Sequence, residues 1–138
     1  MEEKFNGGDT MLENFRKVDL TIGVSYMSIT TNGVSFSKAA VVKMGAPSYV
    51  LLLINDDEKK IAIQECSKET EGANRFVRNE NNLSVRWNNR ELINDIEELM
   101  CWDLSQGGFR ILGSYYRAEN VMIFDLNTAE AIKTQKSK

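Results

Sequence analysis

Arg75, Arg78, Arg86, Arg90, Arg110 and Arg117 share the second half of this chain with Trp87, Tyr115 and Tyr116. Guanidinium groups meet phosphate oxygens in a two-pronged hydrogen-bonding geometry, and aromatic rings stack on nucleobases, so this mixture is chemistry suited to nucleic acid. Arg86 alternates with Val85 and Trp87, and Arg110 sits beside Ile111. Successive side chains on a strand point to opposite faces, which sends both arginines toward solvent and Trp87 toward a core. The expected nucleic-acid-binding set is therefore Arg75, Arg78, Arg86, Arg90, Arg110, Tyr115, Tyr116 and Arg117. Glu91, Asp95, Glu97 and Glu98 lie in the same stretch and offset the arginines in charge, which limits how strongly such a surface attracts a polyanion.

Catalysis has far less to work with. The sequence contains no histidine, which removes the side chain that titrates near neutral pH, the usual partner of a Ser or Cys nucleophile, and the commonest metal ligand. Asp56, Asp57 and Glu58 fall at a hairpin tip, and Glu97 and Glu98 on the polar face of a helix, where carboxylates are ordinarily solvated. Gly107 and Gly108 precede a strand rather than a helix, so they do not make the phosphate-cradling loop of nucleotide enzymes. Cys66 and Cys101 form no C-x-x-C pair. Each reads as a small apolar thiol in a reducing cytosol, Cys101 in the core beside Trp102, with a disulfide between the two left open. The expectation is a non-enzymatic protein with no cofactor and no metal site.

The arginines need a scaffold. A chain of 138 residues, 42% hydrophobic and 27% charged, is enough for one domain with its own core. The net charge of −3 argues against a protein that coats nucleic acid by bulk electrostatics. No apolar run reaches the ~18 residues of a membrane span. The opening MEEKFNGGDTMLENF is acidic where a signal peptide is basic, so the expected location is the cytoplasm, with no membrane partner.

Residues 1–16 show no sustained period and read as a mobile arm with a short helical turn from Met11 to Phe15. Val18, Leu20, Ile22 and Val24 then alternate with polar residues as a half-buried strand does, and a further strand or bulge is expected over 26–30. Asn32-Gly33 signals a turn before a strand at 34–36. Ser37 suits a helix N-cap, with a short helix over 38–44 closed by Gly45 and Pro47. Residues 49–54 and 61–66 read as an antiparallel hairpin with a charged tip. Leu83, Val85 and Trp87 alternate as a strand, and Asn88 with Glu91 three residues on gives a capping-box-like start to an amphipathic helix over 89–101. A second hairpin is expected over 109–115 and 120–126. The expected core is Phe36, Leu52, Ile61, Ile63, Trp87, Leu92, Ile96, Ile111, Ile123 and Phe124.

These elements predict an α+β fold, with antiparallel strands in two sheets or one curved sheet and two helices lying on it. The single domain spans 17–132, its halves 18–66 and 83–132 joined by a polar surface connection over 67–82, with a frayed tail at 133–138. Both halves run strand, capped helix, hairpin. Phe36-Ser37 answers to Trp87-Asn88, and the interval from Tyr49 to Ile61 equals that from Phe109 to Val121. A pseudo-two-fold duplication of a βαββ unit is one reading of this, and chance recurrence of a common order is the other.

The run SITTNGVSFSKAAVVKMGAPSYVLLLINDDEKKIAIQEC resembles the AbrB-type swapped-hairpin DNA-binding domains over residues 28–66. Met44-Gly45 stands where that family has Leu-Gly, and Ser37-Lys38 where it has Pro-Lys. The family's proline is absent, and the strand from Tyr26 to Thr30 lacks its phosphate-contacting basic residues. The resemblance implies a related topology and a DNA-binding or transcription-associated role. The leading expectation is thus a small nucleic-acid-binding protein contacting DNA or RNA, with a homodimer as a further expectation. The alternative is a protein-interaction or assembly module that pairs through exposed strand edges. A small-molecule pocket between the halves is a third reading, resting only on the habit of ligands to sit at such seams.

Overall fold

The computed structural model describes residues 9–16 and 23–132. Residues 1–8 of the expected arm, the strand positions Val18, Leu20 and Ile22, and the tail 133–138 lie outside the described residues. The helical turn expected from Met11 to Phe15 is a 3₁₀ turn over Asp9–Leu12, and Met11, Leu12 and Phe15 are all exposed.

Eleven elements make up the body: β1 (Tyr26–Thr30), β2 (Gly33–Phe36), α1 (Lys38–Lys43), β3 (Tyr49–Asn55), β4 (Lys60–Glu65), β5 (Asn74–Arg75), β6 (Val85–Trp87), α2 (Arg90–Met100), β7 (Phe109–Tyr116), β8 (Val121–Asp125) and β9 (Glu130–Ala131). The strands form one curled antiparallel sheet in the order β5-β3-β4-β8-β7-β1-β2-β6, with β9 added to β7. The fold is therefore mixed α+β, and the sheet is shared by the two halves of the chain: β1 pairs with β7, β2 with β6 and β4 with β8. Strand β7 makes this sharing geometric. Its residues 109–112 lie in register with β1, and its residues 113–116 with β8.

Local chemistry fixes the elements. At the β1–β2 turn the positive φ falls on Gly33 alone (135°), where a Cβ would stand 2.4 Å from the Trp87 carbonyl oxygen. Only glycine fits, and the turn thereby rests against β6. The Ser37 hydroxyl accepts from the Ala40 and Tyr26 N–H groups (3.1 and 3.0 Å) and donates to the Val24 carbonyl (2.9 Å). One side chain thus caps α1 and ties it to β1. Helix α2 is capped by Asn89, whose Oδ1 accepts from Leu92 N–H at 3.0 Å. The start lies one residue later than the Asn88–Glu91 spacing suggests, because Glu91 takes the second helical position. Cys101, expected in the core, is exposed: it closes α2 in the left-handed conformation (φ 57°). Both cysteines are free thiols.

The concave face of the sheet and the apolar faces of the helices make the core. Met27, Ile29, Ile61, Ile63, Ile93, Ile96, Ile111, Met122 and Phe124 are almost wholly shielded, joined by Phe36 and Leu92. Leu52 and Trp87 are half-buried against this cluster. Ile123, expected inside, sits on the outer face between Ala62 and Ser114. Val121, Met122, Ile123 and Phe124 form an unbroken apolar run, so alternation gives no phase, and the core takes Met122 and Phe124. The connection over 67–82 is not only surface. It carries β5, buries Phe76 and Val77, and extends the ladder beside β3 through Phe76 N–H to the Ser48 carbonyl (2.7 Å) and Val77 N–H to the Pro47 carbonyl (3.1 Å).

Candidate nucleic-acid interface

Two features of the sheet gather arginines. The first is a seam. Strands β5 and β6 are the two ends of the strand order and are not paired with each other. Among the described residues, a hydrogen bond from the Trp87 indole N–H to the Arg75 carbonyl (3.1 Å) spans them. The concavity there, about 390 Å³, is lined by Asn74, Arg75, Arg78, Arg86, Trp87, Asn88 and Asn89 together with Leu52 and Leu92. A smaller adjoining hollow is again lined by Arg75, Arg78, Arg86 and Trp87.

Arg75 and Arg78 come from the connection after β4, and Arg86 from β6. Arg75 ends β5, lies over the Tyr49 ring (5.4 Å from guanidinium carbon to centroid) and reaches the Arg78 carbonyl at 3.5 Å. Arg78 follows the buried pair Phe76 and Val77, which fix its backbone. Arg86 is the exposed middle residue of β6. Trp87 anchors the group through edge-on contacts with Phe36 and Phe76, at centroid distances of 5.3 and 5.9 Å. Among the described residues, the ion pair is Lys60 with Glu58 at 3.3 Å. The three guanidinium groups of the seam are thus not neutralised by a described carboxylate, and like charges held together favour an anion between them.

The second feature is a row. Arg86 pairs with Ser35 across β6–β2, Ser35 with Ser28 across β2–β1, and Ser28 with Arg110 across β1–β7. Directly opposed residues share a face, so these four side chains form one line across the outer surface. The Arg110 guanidinium carbon lies over the Tyr26 ring, 4.4 Å from its centroid. Glu130 of β9 stands opposite Arg110 and ends the line with a carboxylate.

Of the residues expected to touch nucleic acid, the structure brings Arg75, Arg78 and Arg86 together and places Arg110 on the same outer surface as Arg86. It leaves the others apart. Arg90 opens α2, exposed but outside the lining of the seam. Arg117 begins the turn after β7, seven residues beyond Arg110 and so roughly 23 Å along the strand. Tyr115 faces inward opposite Met122 and its hydroxyl donates to Asn120 Oδ1 at 3.4 Å, while Tyr116 is half-exposed on the outer face.

Sequence reasoning did not single out Ser28, Ser35, Asn74 or Asn89, and read Asn88 as a helix cap rather than a site residue, because a polar residue on a solvent face carries no binding signal until register shows what stands beside it. Among the described residues no three carboxylate or thiol side chains gather as a metal ion needs, and no helix is long and apolar enough to cross a membrane. One displaced titration among the described residues is that of Asp103. The Ser105 hydroxyl (2.6 Å) and N–H (3.1 Å) hold its carboxyl below the usual carboxylate range, which belongs to the cap of a 3₁₀ turn rather than to the arginine surface. Comparison of the chain with protein-family models, with curated proteins and with solved structures gave no match.

Proposed function

We propose that this chain is a small non-enzymatic nucleic-acid-binding protein whose contact surface is the β5–β6 seam together with the adjoining outer row. The observation that carries this reading is the convergence of Arg75 and Arg78, from the connection after β4, and of Arg86, from β6, on one concavity. Guanidinium groups so placed supply paired donors to phosphate oxygens, and the asparagine amides beside them add neutral donors. A fluorescence-anisotropy titration with mixed-sequence oligonucleotides at low and moderate salt tests it. Binding should weaken steeply with salt, and Arg75→Ala, Arg78→Ala and Arg86→Ala should each lower the salt slope by about one counterion. No binding at tens of micromolar protein in low salt refutes the reading.

The strand pairing supports a duplicated βαββ unit within this reading. Exchanging β1 with β5, β2 with β6, β3 with β7 and β4 with β8 carries the β1–β7 ladder onto β5–β3 and β3–β4 onto β7–β8, and leaves β2–β6 and β4–β8 unchanged. The β1–β2 ladder has no counterpart, since β5 and β6 are unpaired. On this view the seam is the place where the second unit departs from the first. The partial resemblance of residues 28–66 to AbrB-type domains belongs to the same reading as a proposal about ancestry.

An assembly role has one observation in its favour. Leu53, Ala62, Ile123 and Ser114 form a cross-strand row on the outer face of β3-β4-β8-β7, with exposed Tyr116 and Leu112 nearby. Light scattering after size exclusion separates this from a monomeric nucleic-acid binder.

A further inference from the structure

Resting on the nucleic-acid reading, we infer that the ligand is a single strand that crosses the sheet at right angles to its β-strands, from the seam at Arg86 over Ser35 and Ser28 to Arg110. The register puts these four residues in one line, and three strand spacings make that line ~14 Å long. The two ends carry guanidinium groups, and the two middle positions carry partly buried serines, whose hydroxyls donate and accept hydrogen bonds. No large side chain interrupts the line. A flexible backbone can lie along it with phosphates at the arginines and sugar or phosphate oxygens at the serines.

The far end adds a base contact. Arg110 is exposed, and its guanidinium carbon lies over the Tyr26 ring, 4.4 Å from the centroid. Its exposure leaves the group accessible, and an accessible guanidinium is a stacking platform for an unpaired base. A base inside a duplex cannot reach it.

The helices argue against duplex in a second way. Reading a duplex through its major groove requires a helix or ribbon that enters the groove. Helix α1 has six residues, and the exposed face of α2 presents Glu91, Asp95 and Glu98, which repel phosphate. The row lies flush with the sheet, so the surface offered is a line of donors, bounded by the seam at one end and by Glu130 at the other. That length matches a short site, at the low end of the roughly 4–16 nucleotides that single sheet-based binding folds cover.

The test uses the full chain with a labelled oligo-dT series and a duplex of mixed sequence, in low salt. Single strands should bind at least about tenfold more tightly than the duplex, with affinity levelling off near the short end of the series. Ser28→Glu and Ser35→Glu put a carboxylate on the line and should each weaken single-strand binding by about tenfold or more. Ser28→Thr and Ser35→Thr keep the hydroxyl and suit a strand, so they should bind as the parent does. Glu130→Gln should tighten binding severalfold. Circular dichroism confirms that each variant is folded. Single-strand binding that depends on Arg86 but ignores both Glu substitutions overturns the path and leaves the seam reading standing, as does equal affinity for duplex. Absence of binding to either form overturns the inference and the nucleic-acid reading together.

Discussion

Replacing Phe76 with alanine is the sharpest test of how the fold builds the arginine seam. Phe76 lies in a stretch that apart from it and Val77 is mostly polar, yet only 3% of it is exposed. Its ring meets Phe36 edge-on at 5.2 Å and Trp87 at 5.9 Å. Truncating a buried phenylalanine costs about 3–5 kcal/mol, of which edge-to-face contacts account for ~0.5–1.5 kcal/mol each. Against a total stability of roughly 5–15 kcal/mol, Phe76→Ala should move the urea midpoint far down, and Phe76→Leu should recover most of the loss. The site should respond as well. Arg75 and Arg78 flank this residue on the chain, and the Trp87 indole that bonds the Arg75 carbonyl packs on its ring. Under conditions where the variant is still folded, its oligonucleotide salt slope should fall toward that of an Arg75→Ala, Arg78→Ala double variant. A loss below ~1 kcal/mol with an unchanged denaturant slope would show that residues 67–82 lie loosely on the body, and would refute the claim that they form a wall of the core.

Gly113→Ala should cost about 1–3 kcal/mol by overpacking, read by scanning calorimetry, because the added Cβ would stand 2.6 Å from Phe124 Cε2 and 2.8 Å from Met122 Sδ on the inner face. Ser37→Ala should cost roughly 1–2 kcal/mol in chemical denaturation, since two backbone N–H groups lose their acceptor, while Ser37→Asp should restore part of it. The carboxyl of Asp103 is depressed in the folded state by Ser105, so its contribution is present above the unfolded titration range and fades as pH falls through the folded one. Asp103→Asn should therefore slightly flatten the acid side of the thermal-stability profile, an effect that salt reduces because the group is exposed.

Much of the scaffold is legible in the residues because several signals agree at the same place. Ser37, the apolar run to Met44 and the pair Gly45 and Pro47 bracket α1, and the amphipathic pattern of residues 92–100 marks α2 within a residue of its true start. Both hairpins are visible because their tips are rich in polar residues. Where signals conflict or are absent, the reading loses phase. An unbroken apolar run hides which of Met122 and Ile123 is inside, and Cys101 reads as core because nothing local announces a left-handed helix end on a residue that is neither glycine nor asparagine. The candidate site is legible in composition and not in arrangement. Arg86 and Arg110 are 24 residues apart on strands that do not touch, and what relates them is the register of β1 and β2 between. Pairing between distant strands leaves no mark on the sequence of either.

Two physical roles compete for the seam arginines, and charge reversal separates them. An unpaired strand edge invites other strands to add to it, and proteins block this with charged side chains of either sign at such edges. Among the described residues, strand β6 has such an edge, met by the Trp87–Arg75 hydrogen bond, so Arg75, Arg78 and Arg86 could serve as blocking charges with no ligand at all. Blocking needs charge alone, whereas phosphate contact needs positive charge and the two-pronged guanidinium geometry. Arg86→Glu should therefore leave the protein soluble and in its parental oligomeric state by light scattering, because a glutamate blocks an edge as an arginine does. The same variant should lose oligonucleotide binding by well over tenfold in low salt, since a carboxylate now faces the phosphate path. Arg86→Lys should fall between, keeping the charge and losing the fork. If Arg86→Glu binds oligonucleotide as the parent does while Arg86→Ala self-associates, the arginines protect the edge and the phosphate reading of the seam is wrong.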